Sequence, residues 1–182
     1  MKILILYYTQ SKNTQKIASY MSEALNDFHE VDLCSIKQVQ IEKISEYNCL
    51  FLGAPCHHST LAKKMLKFMQ NLPNLQNLPL VGFFTHSTAM PEVSEHYKKL
   101  YDEWAGNCQT AFETTAKDKN CNLIGTFHCQ GSAIFPIELF IHSKIITDKE
   151  KWKDYKKELR THPDESDQKK AQQFALRMVE AI

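Results

Sequence analysis

The sequence predicts an α/β protein built on a doubly wound parallel sheet. Five apolar runs of strand length alternate along the chain with longer segments of helical periodicity. The central runs are continuously apolar, which is typical of parallel strands covered on both faces. Polar segments directly follow three of the runs, at the edge where an open parallel sheet binds ligands. The length of 182 residues fits a single domain, 1–182, with a core of its own.

The first half of the chain predicts three strands and two helices. The apolar stripe of the first helix includes Ile17, Met21 and Phe28. The predicted elements in order are a strand at Lys2–Tyr8, a helix over 13–27, strands at His29–Cys34 and Tyr47–Gly53, and a helix at Leu61–Leu72.

The second half predicts two more strands and three helices, and Lys149–Asp167 is so highly charged that we expect it to be the most mobile stretch. Val93, Tyr97, Tyr101 and Trp104 are expected to face the core from one long helix. The predicted elements are a strand at Pro79–Thr85, a helix at Pro91–Lys117, a strand at Asn122–Cys129, a helical segment at Phe135–Ile146 and a last helix at Asp164–Ile182.

Composition narrows the classes of function. A formal net charge of +1 favours neither nucleic acid nor an anionic membrane surface as partner. No stretch approaches the roughly 20 apolar residues of a membrane span. The N-terminal run is interpreted as a strand rather than a signal peptide, so a cytoplasmic location is expected. The six cysteines form no C-x-x-C pair and are expected to be reduced thiols.

The segment after the first strand is the strongest candidate for a ligand site. It consists of Thr9, Gln10, Ser11, Lys12, Asn13 and Thr14, and it leads directly into a predicted helix. Backbone N–H groups and the helix dipole favour an anion at such a position, so the segment predicts a phosphate cradle. The alternative is an ordinary helix cap, in which Ser11 or Asn13 satisfies the free amides.

Two further polar segments are expected at the same edge of the sheet. One follows the third strand and contains Pro55, Cys56, His57, His58 and Ser59; the other follows the fourth strand and consists of Thr85, His86, Ser87 and Thr88. With His128 and Cys129 they suggest soft-metal ligands or a reactive thiol. The spacing matches no standard zinc signature, and strand alternation sends His128 and Cys129 to opposite faces, so no metal is assigned.

These residues resemble the flavodoxin family. Thr9–Thr14 is similar to the FMN-phosphate loop, usually written T/S-x-T/S-G-N/x-T, and the strand layout fits the flavodoxin-like order 2-1-3-4-5. Gly125–Gly131 looks like the GxFxCQG segment of one branch, and His162–Asp164 looks like its HPD element. The resemblance covers the full length.

The resemblance implies a non-covalent FMN site. Thr9, Ser11 and Thr14 would offer hydroxyl groups to the phosphate, the segments Gly53–Thr60 and Thr85–Met90 would flank the isoalloxazine ring, and Gln130 would lie at the same rim. The chain departs from the family where Lys12 replaces the usual Gly, and where His57, His58 and His86 are the only ring side chains in loops that often carry Trp and Tyr. A Lys held at positive φ would cost roughly 1 kcal/mol or more.

Three functions stay open at this stage. The first is an FMN electron carrier between partner proteins. The second is an FMN oxidoreductase that uses NAD(P)H and a small acceptor such as a quinone, for which the histidines would stabilise negative charge. The third is a non-redox anion-binding or interaction module that has lost FMN. Oligomeric state is not predicted, because the apolar Phe135–Ile146 segment suits either the core or a dimer face.

Overall fold

The computed structural model describes all residues 1–182 and consists of one twisted sheet with helices on both faces. The strands are β1 (Lys2–Tyr7), β2 (Glu30–Ser35), β3 (Cys49–His57), β4 (Thr60–Leu61), β5 (Leu78–His86) and β6 (Cys121–Gln130). The helices are α1 (Asn13–Asn26), α2 (Lys63–Gln70), α3 (Glu95–Trp104), α4 (Asn107–Lys119), α5 (Phe135–Lys144), α6 (Lys149–Leu159) and α7 (Glu165–Glu180), with a 3₁₀ helix at Ile41–Glu46. No helix is long and apolar enough to cross a membrane.

The five long strands are parallel and follow the spatial order β2-β1-β3-β5-β6. This is the predicted order 2-1-3-4-5 once the short β4 is set aside. β4 was not predicted: it pairs antiparallel with the end of β3 through a two-residue turn at His58 and Ser59. Both turn residues have positive φ (51° and 70°), as a tight hairpin requires. The segment predicted as a loop after the third strand is therefore a hairpin, and β3 extends to His57.

Two hydrophobic cores lie on opposite faces of the sheet, as strand alternation dictates. Leu4 and Leu6 of β1 point to the face covered by α2 and α4, where Phe112 is fully buried. Ile3 and Ile5 point to the face covered by α1 and α7, where Met21 is fully buried. These two layers fix the positions of the strand ends that carry the site.

The predicted helix Pro91–Lys117 is wrong in one respect: it is two helices, α3 and α4. The chain breaks at Ala105 and Gly106, where a Cβ on Gly106 would lie 2.6 Å from the Asp102 carbonyl oxygen. Only glycine fits so close an approach, and it also weakens a helix. Val93 precedes α3 and is 67% exposed, so its predicted place in the core is wrong.

Two other expectations are corrected at helix ends and in the charged segment. Phe28 lies beyond the end of α1 and is exposed. Most of the charged stretch predicted to be mobile forms α6, because Asp148 caps its N-terminus and Tyr155 and Leu159 are buried. Long stretches of lysine and glutamate are compatible with a helix whenever one stripe is apolar.

Helices α5 and α6 form a cap over the carboxyl edge of the sheet, at residues 135–159. The cap packs on Ala89, which follows β5, and forms with it a small apolar cluster of Ala89, Ile141, Tyr155 and Leu159. Glu138 joins its two helices: its carboxylate oxygens lie 2.7 Å from Arg160 Nε and 3.2 Å from Lys156 Nζ. The Arg160 hydrogen bond lowers the pKa of Glu138.

Candidate functional site: a cavity at the carboxyl edge of the sheet

A cavity of about 640 Å³ opens at the carboxyl edge of the sheet, under the cap. Its wall includes most of the predicted site residues: Gln10, Ser11, Asn13, Pro55, Cys56, His57, His58, Thr85, His86, Ser87 and Thr88. The sequence thus identified which loops converge. The volume falls within the usual range for a small-molecule or cofactor site.

The cavity has two chemically different halves. The polar half is formed by the segments that follow β1, β3, β5 and β6. The apolar half is formed by α3, α5, the connection after α5 and Tyr155 of α6; its side chains include Leu100, Trp104, Ile137, Phe140 and Ile146. No lysine, arginine, aspartate or glutamate lines either half.

The start of α1 has the features of an anion cradle. Lys12, the N-cap residue, lies in the left-handed region (φ 68°), and no side chain caps the helix. The alternative of an ordinary side-chain cap by Ser11 or Asn13 therefore does not hold. The first backbone N–H groups of a helix have no intrahelical acceptor, so they are available to a ligand. Lys12 itself is exposed and does not line the cavity.

Asn13 holds the cradle against the end of β6. Its Nδ2 donates to the Ser132 carbonyl oxygen at 2.8 Å, and its Oδ1 accepts from Ser132 Oγ at 3.1 Å. Gly131 lies directly beneath: a Cβ there would come within 2.7 Å of Asn13 Nδ2. A side chain at Gly131, the last residue of the GxFxCQG segment, would therefore have to displace Asn13 from its contacts with Ser132.

The hydroxyl groups of Thr14 and Thr85 form a hydrogen bond with each other. Their hydroxyl oxygens lie 2.9 Å apart, and their exposed fractions are 0% and 3%. Thr85 reaches the wall, but Thr14 does not. The resemblance implied that Thr14 offers its hydroxyl to the phosphate; in the structure that hydroxyl joins α1 to β5.

Three further predicted residues, Thr9, Ser59 and Gln130, also lie off the wall. Thr9 Oγ1 and Gln130 Nε2 are buried and have no hydrogen-bond partner within the protein. Buried polar atoms without a partner are rare and call for an explanation. Ser59 belongs to the hairpin turn, where its Oγ accepts from Asn107 at 3.1 Å.

His86 is fixed by contacts at both ring nitrogens. Nε2 lies 3.0 Å from His128 Nδ1, and Nδ1 lies 2.8 Å from Thr88 Oγ1. Burial, together with the neighbouring His128, lowers the pKa of His86 to about 3. His86 is therefore a neutral, immobile part of the wall at physiological pH, rather than an exposed ring face.

His57 and His58 lie at the open rim, at the tip of the β3–β4 hairpin. Burial and the proximity of His58 lower the pKa of His57. Cys56 is at the wall, and its Sγ donates to the Trp104 carbonyl oxygen at 3.2 Å. Cys129 lies on the opposite face of the sheet from His128, in the core under α1 and α7, as strand alternation predicted. The residues suggested as soft-metal ligands are thus divided between two faces.

Sequence reasoning missed the aromatic wall. The rings flanking the cavity come from helices: Tyr97 and Trp104 on α3, Phe140 on α5 and Tyr155 on α6. Trp104 and Phe140 meet edge to face, with ring centroids 5.3 Å apart. Tyr97 and Trp104 were expected to pack in the core; each is half-buried at the wall instead. The high apolar content of Phe135–Ile146 was the available signal for the second side of this wall.

The HPD segment is hydrogen-bonded to two elements of the site, the segment after β6 and helix α1. The Ser132 N–H donates to the His162 carbonyl oxygen at 3.0 Å, and Lys16 Nζ donates to the Pro163 carbonyl oxygen at 2.6 Å. Asp164 and Asp167 form a reciprocal capping box at the start of α7. His162, Asp164 and Asp167 lie close enough to hold a cation, but their contacts with one another already explain the arrangement.

With this geometry in place, comparison with known proteins identifies the family. The Flavodoxin domain family model matches residues 4–176, and the chain belongs to this family. An uncharacterized protein of Methanocaldococcus jannaschii is 27% identical over 177 residues, which is 96% of each chain. Oxidised Flavodoxin 2 from Bacillus cereus has a TM-score of 0.65 at 21% identity over the whole of both chains. A flavodoxin from the domain Archaea has a TM-score of 0.66 at 13% identity, covering 100% of this chain and 98% of that one.

The residues present fit the flavin expected of this family. The uncapped start of α1 and the neutral donors Gln10 and Ser11 at the cavity wall suit a phosphate. The segments expected to flank the flavin ring, the β3–β4 hairpin and residues 85–88, line the same polar half of the cavity as Gln10 and Ser11.

Proposed function

We propose that this protein binds FMN non-covalently and acts as an electron carrier of the flavodoxin type. The uncapped, left-handed start of α1 beside a half-polar, half-aromatic cavity is the observation that carries the proposal. Family membership and the shared fold support it. When bound, FMN supplies the redox chemistry, because it accepts electrons singly or in pairs.

Different residues of the chain would bind the phosphate and the ring of FMN. Gln10, Ser11 and the first N–H groups of α1 would hold the phosphate without any cationic side chain at the wall. Hydrogen bonds from neutral donors to a charged group contribute about 1.5–3 kcal/mol each. The β3–β4 hairpin and residues 85–88 would flank the ring, with His57 placed to exchange a hydrogen bond at its edge.

The electron donor is proposed to be a partner protein rather than a nicotinamide dinucleotide. A dinucleotide carries a pyrophosphate, and proteins bind such groups with Arg, Lys or a glycine-rich helix start. The cavity wall offers no Arg or Lys, and the sequence has no G-x-G-x-x-G. Stopped-flow mixing with NADH and NADPH tests this point, and direct reduction of the bound flavin at a catalytic rate would refute the carrier proposal.

We expect the protein to work in the cytoplasm. All six cysteines are free thiols, and Cys49, Cys108 and Cys129 among them are buried, which suits a reducing compartment.

The test of FMN binding is a comparison of FMN with riboflavin, which lacks the phosphate. The purified protein is titrated with each, and bound flavin is followed by absorbance and by fluorescence quenching. We expect FMN to bind near one equivalent and more tightly than riboflavin. Ser11→Ala should weaken FMN by about tenfold and leave riboflavin unchanged, because one hydrogen bond to a charged group is lost.

Ser19→Ala is the matched control, since Ser19 lies further along α1, away from the cavity wall. Equal affinity for FMN and riboflavin would show that the 9–14 segment does not hold the phosphate. Failure to bind either flavin would leave the third function, a module that holds another anion.

A further inference from the structure

The apolar half of the cavity does not contain the segments expected to flank a flavin ring. Those segments are the β3–β4 hairpin and residues 85–88, and they belong to the polar half and its rim. The apolar half is built by other elements, α3 on one side and the cap on the other. A flavin ring held between those two loops therefore does not account for these apolar walls.

The apolar side chains of α5 are arranged as a binding surface and not as a packed core. Ile137 and Phe140 line the cavity and yet remain 42% and 38% exposed. By contrast, Ile141 and Tyr155 belong to the small apolar cluster of the cap and are only 6% and 8% exposed. That cluster is therefore buried without Ile137 and Phe140. Large apolar side chains left in contact with water inside a cavity indicate a site for an apolar ligand.

The shape and charge of this half restrict the occupant. Three walls enclose it: α3 with Leu100 and Trp104, α5 with Ile137 and Phe140, and α6 with Tyr155. The edge-to-face contact of Trp104 and Phe140 closes the space between α3 and α5. This enclosure suits a small molecule rather than a flat protein surface. The absence of Lys, Arg, Asp and Glu from the wall disfavours a charged ligand, because its charge would be buried without a partner.

Two polar groups beside the apolar half already have hydrogen-bond partners. The Tyr155 hydroxyl donates to the Ser87 carbonyl oxygen at 2.5 Å, and the Cys56 thiol donates to the Trp104 carbonyl oxygen. Four aromatic rings remain as contact surface, those of Tyr97, Trp104, Phe140 and Tyr155. Rings of this kind prefer offset or edge-to-face contacts with another ring.

We infer that the apolar half of the cavity is a second binding site, for an uncharged aromatic small molecule, beside the flavin. The inference rests on the proposed function only in assigning the polar half to FMN. It gives the protein a small-molecule pocket, which electron transfer between proteins does not require.

The experiment uses the full chain saturated with FMN and two matched probes, 1-naphthol, which is neutral at pH 7, and 1-naphthalenesulfonate, which is charged. Saturation-transfer NMR and calorimetry measure their binding, and the flavin absorbance reports independently that FMN stays bound. We expect 1-naphthol to bind and the sulfonate to bind at least about tenfold more weakly.

A matched pair of variants on α5 shows where 1-naphthol binds. Ile137→Asp introduces a carboxylate at the wall and should weaken 1-naphthol by about tenfold with FMN affinity unchanged. Leu139→Asp is two residues away, 56% exposed and off the wall, and should leave both affinities unchanged. Both positions are on the surface of the helix, so neither change is expected to disturb folding.

The outcomes separate the two proposals. No binding of 1-naphthol to the FMN-loaded protein, or binding only to the FMN-free protein with competition by FMN, overturns the second site, because the flavin then fills both halves. Equal effects of Ile137→Asp and Leu139→Asp also overturn it. Failure of FMN to bind refutes the proposed function alone; 1-naphthol binding that responds to Ile137→Asp would still support the apolar site.

Discussion

The hydroxyl oxygens of Thr14 and Thr85 lie 2.9 Å apart and join the first turn of α1 to the end of β5. Both side chains are almost completely buried, so neither hydroxyl has water as an alternative partner. This contact ties the proposed phosphate cradle to the strand whose following loop lines the cavity.

We therefore expect Thr14→Val to lower the free energy of unfolding by about 1–3 kcal/mol, because it leaves the Thr85 hydroxyl buried without a partner. Valine has nearly the same shape, so packing changes little. Urea unfolding measures the effect. The double variant Thr14→Val with Thr85→Val should be less destabilised than the sum of the two single variants. Strict additivity would show that the two hydroxyls do not depend on each other.

Lys12→Gly should raise the free energy of unfolding by about 0.5–1 kcal/mol, because a non-glycine residue in the left-handed region is strained. Part of the gain is offset by the greater freedom of glycine in the unfolded chain. Lys12→Ala separates conformation from charge: it keeps the strain and removes the cation.

FMN affinity in the same pair shows whether the Lys12 cation supports the phosphate. Weaker FMN binding in both variants would indicate that it does. FMN binding in Lys12→Gly but not in the natural sequence would mean that the protein is not a flavoprotein.

Stability should fall as the solution is acidified, because His86 stays neutral in the folded state. Burial holds its pKa at about 3, below the unfolded value of about 6.5, so the unfolded chain binds the proton first. The contribution is fully present above pH 6.5 and is lost as the pH falls toward 3. Between pH 7.5 and 5 the expected loss is about 2 kcal/mol.

Urea unfolding across this pH range tests the point, with His86→Asn as the variant that removes the titrating group. The variant is expected to be less stable at pH 7.5 but to lose less stability on acidification. His128→Gln should flatten the profile as well, since burial also lowers the pKa of His128. An identical slope in His86→Asn and the natural protein would contradict the assignment.

The ion pairs of Glu138 should control opening of the cap. Glu138→Gln removes the charge that holds Arg160 and Lys156, so we expect faster amide hydrogen exchange over residues 135–159. Exchange in β1, β3 and β5 should stay unchanged, because local opening does not require global unfolding. Mass spectrometry of deuterium uptake resolves these segments. A uniform rise over all segments would show instead that the cap and the sheet unfold together.

The fold was largely predictable because its signals are local. A strand buried on both faces is a continuous apolar run, and each helix of the sheet layers has a stripe at helical spacing, as in α1. The order of the strands came with the family resemblance, and the structure agrees with it. Errors arose where a tertiary contact decides the local structure. Gly106 ends a helical pattern because of its distance to Asp102, which no periodicity reveals.

The site was predictable in its loops and not in its walls. The carboxyl ends of parallel strands meet by topology, so the segments containing Ser11, His57 and Thr88 were expected together. Whether a hydroxyl faces the cavity or a neighbouring strand depends on packing, and Thr14 shows the second outcome. The aromatic wall joins α3 to α5, which are separated by α4 and β6 in the chain, and no sequence pattern predicts that Trp104 meets Phe140.

The separate cluster of the cap has a consequence for how this protein can change over evolutionary time. The cap contributes only Ile141, Tyr155 and Leu159 to a four-residue cluster, whereas the two cores on the sheet keep their own side chains. Substitutions in residues 135–146 can therefore reshape the apolar half of the cavity without disturbing the layers that hold the strand ends in place. The frame that positions the proposed cradle and the surface that would select a second ligand are physically separate, so each can be inherited or altered without the other.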